Sequence, residues 1–163
     1  KARVHVAIWH CTDESLAEAG SRPNADRWGA VRARRYFHYW RDADGRWQRR
    51  LIPVVVGSRP KIYADRDDNL IMITTMRTQL ADPPEGIASP PNGSLVIAAA
   101  TAESGWTDWK VIHVEKGPFM NEVHADRNRW KEEGVLSIMV QEPPSKVHQP
   151  TPLRMLDFKV SAE

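Results

Sequence analysis

Lys61–Thr75 reads KIYADRDDNLIMITT, and Glu122–Val140 reads EVHADRNRWKEEGVLSIMV. Each stretch carries a ring-bearing residue, then Ala-Asp-Arg, then a polar turn, then an apolar run. Tyr63-Ala64-Asp65-Arg66 returns as His124-Ala125-Asp126-Arg127, 61 positions later. Trp47 returns as Trp109 after 62 positions, and each opens a strand-like run behind a polar turn. Val4–His10, VHVAIWH, fits the slot of Asn69–Thr75, NLIMITT, which lies 65 positions further on. Three offsets that agree describe an internal repeat of about 60 residues.

The segments between these marks are short, β-rich and evenly spaced. They are Arg3–His10, Arg35–Arg41, Trp47–Val56, Lys61–Ala64, Leu70–Thr75, Leu95–Ala100, Trp109–Val114, Glu122–Ala125, Val135–Gln141 and Leu153–Val160. Gly, Pro, Asn and Asp clusters separate them. The fold class expected is all-β. A repeat of this length built from four strands is the mark of a β-propeller blade, a four-stranded antiparallel sheet. Blade pieces then cover about 1–56, 57–116 and 117–163. With strands lettered A to D from the axis outward, the middle piece is complete, the first lacks A and the last lacks D. That is about two and a half blades, and a propeller needs at least about four to close. The chain reads as the C-terminal part of one propeller domain, with the other blades expected upstream of Lys1. The one helix expected is Asp13–Ala19, capped by Thr12 or Asp13 and stopped by Gly20.

Composition narrows the partners. Lys and Arg number 23 against 21 Asp and Glu, a net charge of +2, which offers no general attraction for nucleic acid or an anionic membrane. No run reaches the roughly 18 apolar residues of a membrane span. Cys11 stands alone, so no disulfide forms within the chain. Asn92-Gly93-Ser94 is both a glycosylation sequon and an Asn-Gly turn, and the turn accounts for it more simply. Seven tryptophans suit wedges in a β fold and platforms that stack on sugars.

Two turns between C and D strands, Arg41–Trp47 (RDADGRW) and Ala102–Trp109 (AESGWTDW), carry structural chemistry. Aspartate binds turn amides, glycine takes a positive φ, and tryptophan is expected to wedge between blades. The opposite ends of the strands are where a binding site is expected. Arg59 stands at the start of an inner strand, and Pro60 holds it extended. A guanidinium there offers a two-pronged contact to a carboxylate. In Arg32–Asp42, strand alternation puts Arg35, Phe37, Tyr39 and Arg41 on one face and Tyr36, His38 and Trp40 on the other. Tyrosine and histidine can move protons and arginine can hold a carboxylate, so Tyr39, Tyr36, His38 and Arg35 are candidates. His10 ends an inner strand on the loop side. His148 sits in the proline-rich loop, and His124 is expected to be a buried neighbour. Asp65–Asp68 reads as a solvated hairpin, and the scattered histidines lack zinc spacing.

Val4–His10, Tyr36–Gln48 (YFHYWRDADGRWQ), Gly57–Ile73 (GSRPKIYADRDDNLIMI), Ser104–Ile112 (SGWTDWKVI) and Gly134–Phe158 follow one another as in a known group. Together they resemble the C-terminal part of the BNR-repeat propellers of carbohydrate metabolism. That group includes ulvan lyases, L-rhamnose-α-1,4-D-glucuronate lyases and related rhamnosidases. The resemblance implies a seven-bladed propeller, a secreted protein and an acidic oligo- or polysaccharide as partner. It implies cleavage at a uronic acid by β-elimination, in which an arginine neutralises the carboxylate while histidine and tyrosine exchange protons with C5 and the leaving oxygen. Arg59 matches the carboxylate arginine, and Tyr39 or Tyr36 the tyrosine. The principal histidines of the group fall upstream of Lys1, and His10 is an extra contact rather than a match. Some members bind calcium. The other readings are a glycan- or protein-binding propeller without catalysis, a related α-L-rhamnosidase, and, more weakly, a sialidase.

Overall fold

In the computed structural model, residues 3–18, 20 and 32–159 are described. Among them the chain is mostly β, with ten strands and two short helices. The strands are β1 (His5–His10), β2 (Arg35–Arg41), β3 (Trp47–Val55), β4 (Lys61–Ala64), β5 (Leu70–Thr75), β6 (Leu95–Ala100), β7 (Lys110–Glu115), β8 (Met120–Ala125), β9 (Val135–Gln141) and β10 (Leu153–Lys159). Helix α1 is Asp13–Glu18 and α2 is Arg127–Glu133. They form three antiparallel sheets, ordered β1-β2-β3, β4-β5-β6-β7 and β10-β9-β8. Among the described residues, no helix is long and apolar enough to cross a membrane.

The middle sheet is packed on both faces. All six residues of β5 are buried, which is why LIMITT is a continuous apolar run rather than an alternating one. Leu70 and Met72 join a core with Tyr36, Trp40, Ile52, Val96, Trp106 and Trp109, on the side of the first sheet. Ile71 and Ile73 join another with Tyr63, Ile97, Val123, Leu136 and Ile138, on the side of the third. Each fully buried aliphatic side chain is worth about 1.5–3 kcal/mol. The far face of the first sheet holds the cross-strand row Ile8, Phe37 and Leu51, and that of the third pairs Met139 with Met155. Ile8, Leu51, Met139 and Met155 are exposed.

The repeated aspartates do the same work in two settings. Asp65 Oδ1 accepts from the amides of Asp67 (2.9 Å) and Asn69 (2.8 Å), closing the β4–β5 hairpin. Asp126 Oδ1 accepts from Asn128 (2.9 Å) and Arg129 (3.1 Å), but there the longer connection winds into α2. This corrects the expectation of one helix and a polar turn. Asp126 is the N-cap, Gly134 ends the helix at φ 68, and Trp130 is buried on the core side. Asp126→Ala is expected to lower stability by about 1 kcal/mol, read as a shifted denaturant midpoint. An unchanged midpoint would mean that Trp130 alone holds the helix.

The turn between β2 and β3 is built as the sequence predicts, with one correction. Asp42 Oδ1 accepts from the amides of Asp44 (3.0 Å) and Arg46 (2.8 Å), and Gly45 has φ 79. The Arg46 amide is the main reason that the Asp42 carboxyl sits below its ordinary pKa. Trp109 is buried, but Trp47 is 56% exposed and is no wedge, because it lies on the far face of the first sheet. The Arg41 guanidinium stands over its ring, 5.9 Å from the centroid.

Candidate functional site

Arg59 is set in place by the residues just before it. The buried Tyr36 hydroxyl donates to the Ser58 carbonyl, accepts from the Gly57 amide (2.9 Å) and meets Thr74 Oγ1 at 2.9 Å. Ser58 in turn is tied to Thr75 in both directions: its amide donates to the Thr75 carbonyl (2.8 Å), and its Oγ accepts from the Thr75 amide (3.1 Å). Gly57 is required by this contact, since a Cβ there would stand 2.1 Å from the Thr75 carbonyl oxygen. Burial pushes the Tyr36 phenol up to about 12, so at neutral pH it is a fixed donor. Tyr36, a catalytic candidate from the sequence, is fully buried, and its hydroxyl positions the strand start.

The guanidinium that emerges is 78% exposed, with Nη1 3.1 Å from Glu122 Oε1. Lys61 Nζ lies 3.2 Å from Glu122 Oε2. The hydrogen bond from Lys61, and then the Lys61 and Arg59 charges, hold the Glu122 carboxyl below its ordinary pKa. Glu122 continues into a groove of about 490 Å³, also lined by Arg77, Asn121, His124 and Gln141. A β-bulge in β8 shapes this edge: its register on β9 shifts between Met120 and His124, and Asn121 has φ 62. The bulge turns Val123 into the core and leaves His124 exposed, against the expectation that His124 is buried. Asn121 Nδ2 donates to Gln141 Oε1 at 2.7 Å. Glu122, Lys61 and Arg77 escaped the sequence reading. The signal for two of them was there, because Lys61 and Glu122 are 61 positions apart, the offset of the repeat. The two lie on β4 and β8, edge strands of neighbouring sheets, and carry opposite charges.

His10 and Tyr39 form another cluster, on the far face of the first sheet. His10 Nδ1 lies 3.0 Å from the Cys11 carbonyl, which can only accept, so Nδ1 carries the proton. Nε2 of the neutral ring is then the acceptor for the Tyr39 hydroxyl at 2.7 Å. The His10 ring stacks on Phe37 at 4.5 Å, and the Arg49 guanidinium covers Phe37 at 5.0 Å. This is a phenol held on a base. Arg35, expected as a ligand contact, is buried instead. Its guanidinium donates to the carbonyls of Arg32 (2.7 Å) and Arg34 (3.0 Å) and to Glu18 (3.0 Å), tying α1 to β2.

His38, also a catalytic candidate, is fully buried between the first two sheets. It stacks on Trp40 at 4.7 Å and meets Trp106 and Trp109 edge-on. The Trp109 indole donates to Nδ1 (3.4 Å), so Nε2–H faces His5 Nδ1 at 3.0 Å. His5 then carries its proton on Nε2, which is buried without a partner and 4.0 Å from Asp68 Oδ1. Burial, and then the His5 charge, hold His38 down to about 3; burial also lowers His5. The pair is core, and access by a ligand is closed. His148 is exposed in a turn with φ 67.

The hydrogen bonds and ion pairs sort the candidates into separate groups: Arg59 with Lys61 and Glu122, Tyr39 with His10, and the buried Tyr36 and His38. Among the described residues, no group of three or more His, Cys, Asp or Glu side chains could hold a metal ion, so the calcium of the resemblance has no fitting ligand set there. Compared with protein-family models and with curated proteins, the chain matches none.

Proposed function

We propose that this chain is part of a secreted, carbohydrate-active β-propeller that engages a uronic acid through Arg59. The observation that carries the reading is Arg59 itself: an exposed guanidinium on a rigid strand start, already paired with a carboxylate. Support for the propeller comes from the 3-4-3 grouping of strands and from the middle sheet, packed on both faces by its neighbours.

In this reading the reaction is β-elimination. A base takes the C5 proton of the uronate, a C4–C5 double bond forms, the C4–O bond breaks, and the leaving oxygen gains a proton. Arg59 neutralises the carboxylate and so acidifies C5. The His10–Tyr39 pair supplies a proton donor and acceptor that already share one hydrogen bond. Titration of the chain with a rhamnosyl-glucuronate oligosaccharide is expected to give binding that Arg59→Ala weakens about tenfold or more. Equal affinity in the variant would remove the carboxylate role. In the protein carrying all seven blades, the ultraviolet absorbance of the unsaturated uronate should appear with substrate and fall about 100-fold in Arg59→Ala.

A second reading, a propeller that binds acidic glycan without cleaving it, is favoured by one observation. Arg59 and Tyr39 belong to different clusters, so the clamp and the proton-transfer pair share no contact. Binding without any unsaturated product would select it.

A further inference from the structure

The geometry points to Glu122 as a built-in competitor for the carboxylate of the ligand, and so as the residue that sets affinity in this site. The inference rests on the uronate reading of Arg59. Both oxygens of Glu122 are engaged, Oε1 by Arg59 at 3.1 Å and Oε2 by Lys61 at 3.2 Å. One side chain from β8 therefore occupies the two cations presented by β4 and its lead-in. Glu122 is 29% exposed and borders the groove, so an incoming anion meets it directly.

A carboxylate that takes the planar fork of Arg59 must share it with Glu122 or displace it. The ion pair is mostly exposed, so it is weak enough to exchange. The groove also has a charge balance. At its Glu122 border, Arg59 and Lys61 bring two positive charges and Glu122 offsets one, while Arg77 lines the groove itself. With Glu122 in place, Arg59 and Lys61 stay tethered to it, so a single incoming carboxylate is held loosely. Such a site releases an acidic product readily and binds a neutral sugar no better for the presence of Glu122.

The test is a pair of titrations with a rhamnosyl-glucuronate disaccharide and, as a control, its neutral rhamnosyl-glucose counterpart. Glu122→Gln keeps the shape of the side chain and removes its charge. It is expected to bind the acidic disaccharide about tenfold more tightly, with a steeper salt dependence, and to leave the neutral one unchanged. Adding Arg59→Ala to Glu122→Gln is expected to abolish the gain, which shows that the gain runs through Arg59. Glu122→Ala provides a second route if the glutamine still bonds Lys61. Acidic affinity that is unchanged or lower in both variants overturns the inference. If the parent chain binds the acidic disaccharide and loses it with Arg59→Ala, that failure leaves the uronate reading standing. If neither parent nor variants bind it, both fall.

Discussion

Gly57→Ala is expected to lower stability by about 3 kcal/mol and to weaken uronate binding as well. The added Cβ would lie 2.1 Å from the Thr75 carbonyl oxygen and 2.9 Å from its carbonyl carbon. Both are backbone atoms of β5, so no rotamer change relieves the clash. Either β5 or the lead-in to β4 must move. Movement breaks the Gly57 amide bond to Tyr36 and the two-way Ser58–Thr75 contact, and leaves buried polar groups unsatisfied. Arg59 lies two residues on, so its guanidinium moves with the lead-in. The checks are a denaturant midpoint and the disaccharide titration. A full midpoint with full affinity would show that the lead-in is pliable, and would remove the argument that Tyr36 and Ser58 hold Arg59.

Acid is expected to unfold the chain through the buried histidines before it reaches the carboxylates. His38 titrates near 6.5 when unfolded but is held down to about 3 in the fold, and His5 is lowered in the same direction. The unfolded state therefore binds more protons below pH 6.5. Stability falls as pH drops through that value, by up to about 1.4 kcal/mol per unit for His38 alone. The loss continues toward about pH 3, where the folded ring also protonates. The carboxylates with lowered pKa values, Asp42, Asp108, Glu122 and Asp157, start from ordinary values of 3.8 and 4.5. Their stabilisation is present above those values and is lost only at lower pH. Between pH 6.5 and about 4.5 the histidine pair dominates the slope. Denaturant midpoints across that window should fall steeply for the parent chain. His38→Gln can still accept from Trp109 and donate to His5, yet does not titrate, so its slope should flatten. An equally steep slope in the variant would place the acid sensitivity elsewhere.

Much of the β structure was legible in the sequence, because its causes are local. Alternation, β-branched runs and Gly, Pro, Asn and Asp breaks mark each strand within a few residues. The 61-position offset then groups them, and the groups coincide with the three sheets. The cap chemistry of Asp42 and Asp65 was legible for the same reason, since an aspartate bonds amides two to four residues away. The capping of α2 was equally local, with Asp126 before it and Gly134 after. The repeat predicts a polar turn at that place, and this expectation outweighs the capping signal.

What the sequence determined by itself is which residues share a face; which face is inside came only from the tertiary structure. Tyr36, His38 and Trp40 had to oppose Phe37 and Tyr39, since side chains alternate along a strand. Nothing local says which set turns inward, because burial depends on the sheet that packs against it. The middle sheet supplies that neighbour and buries Tyr36 and His38, leaving Tyr39 to reach His10. The pairing of Glu122 with Arg59 and Lys61 has the same origin. Glu122 lies more than 60 positions from Arg59 and Lys61, and only the packing of the third sheet against the middle one brings them within 3.2 Å.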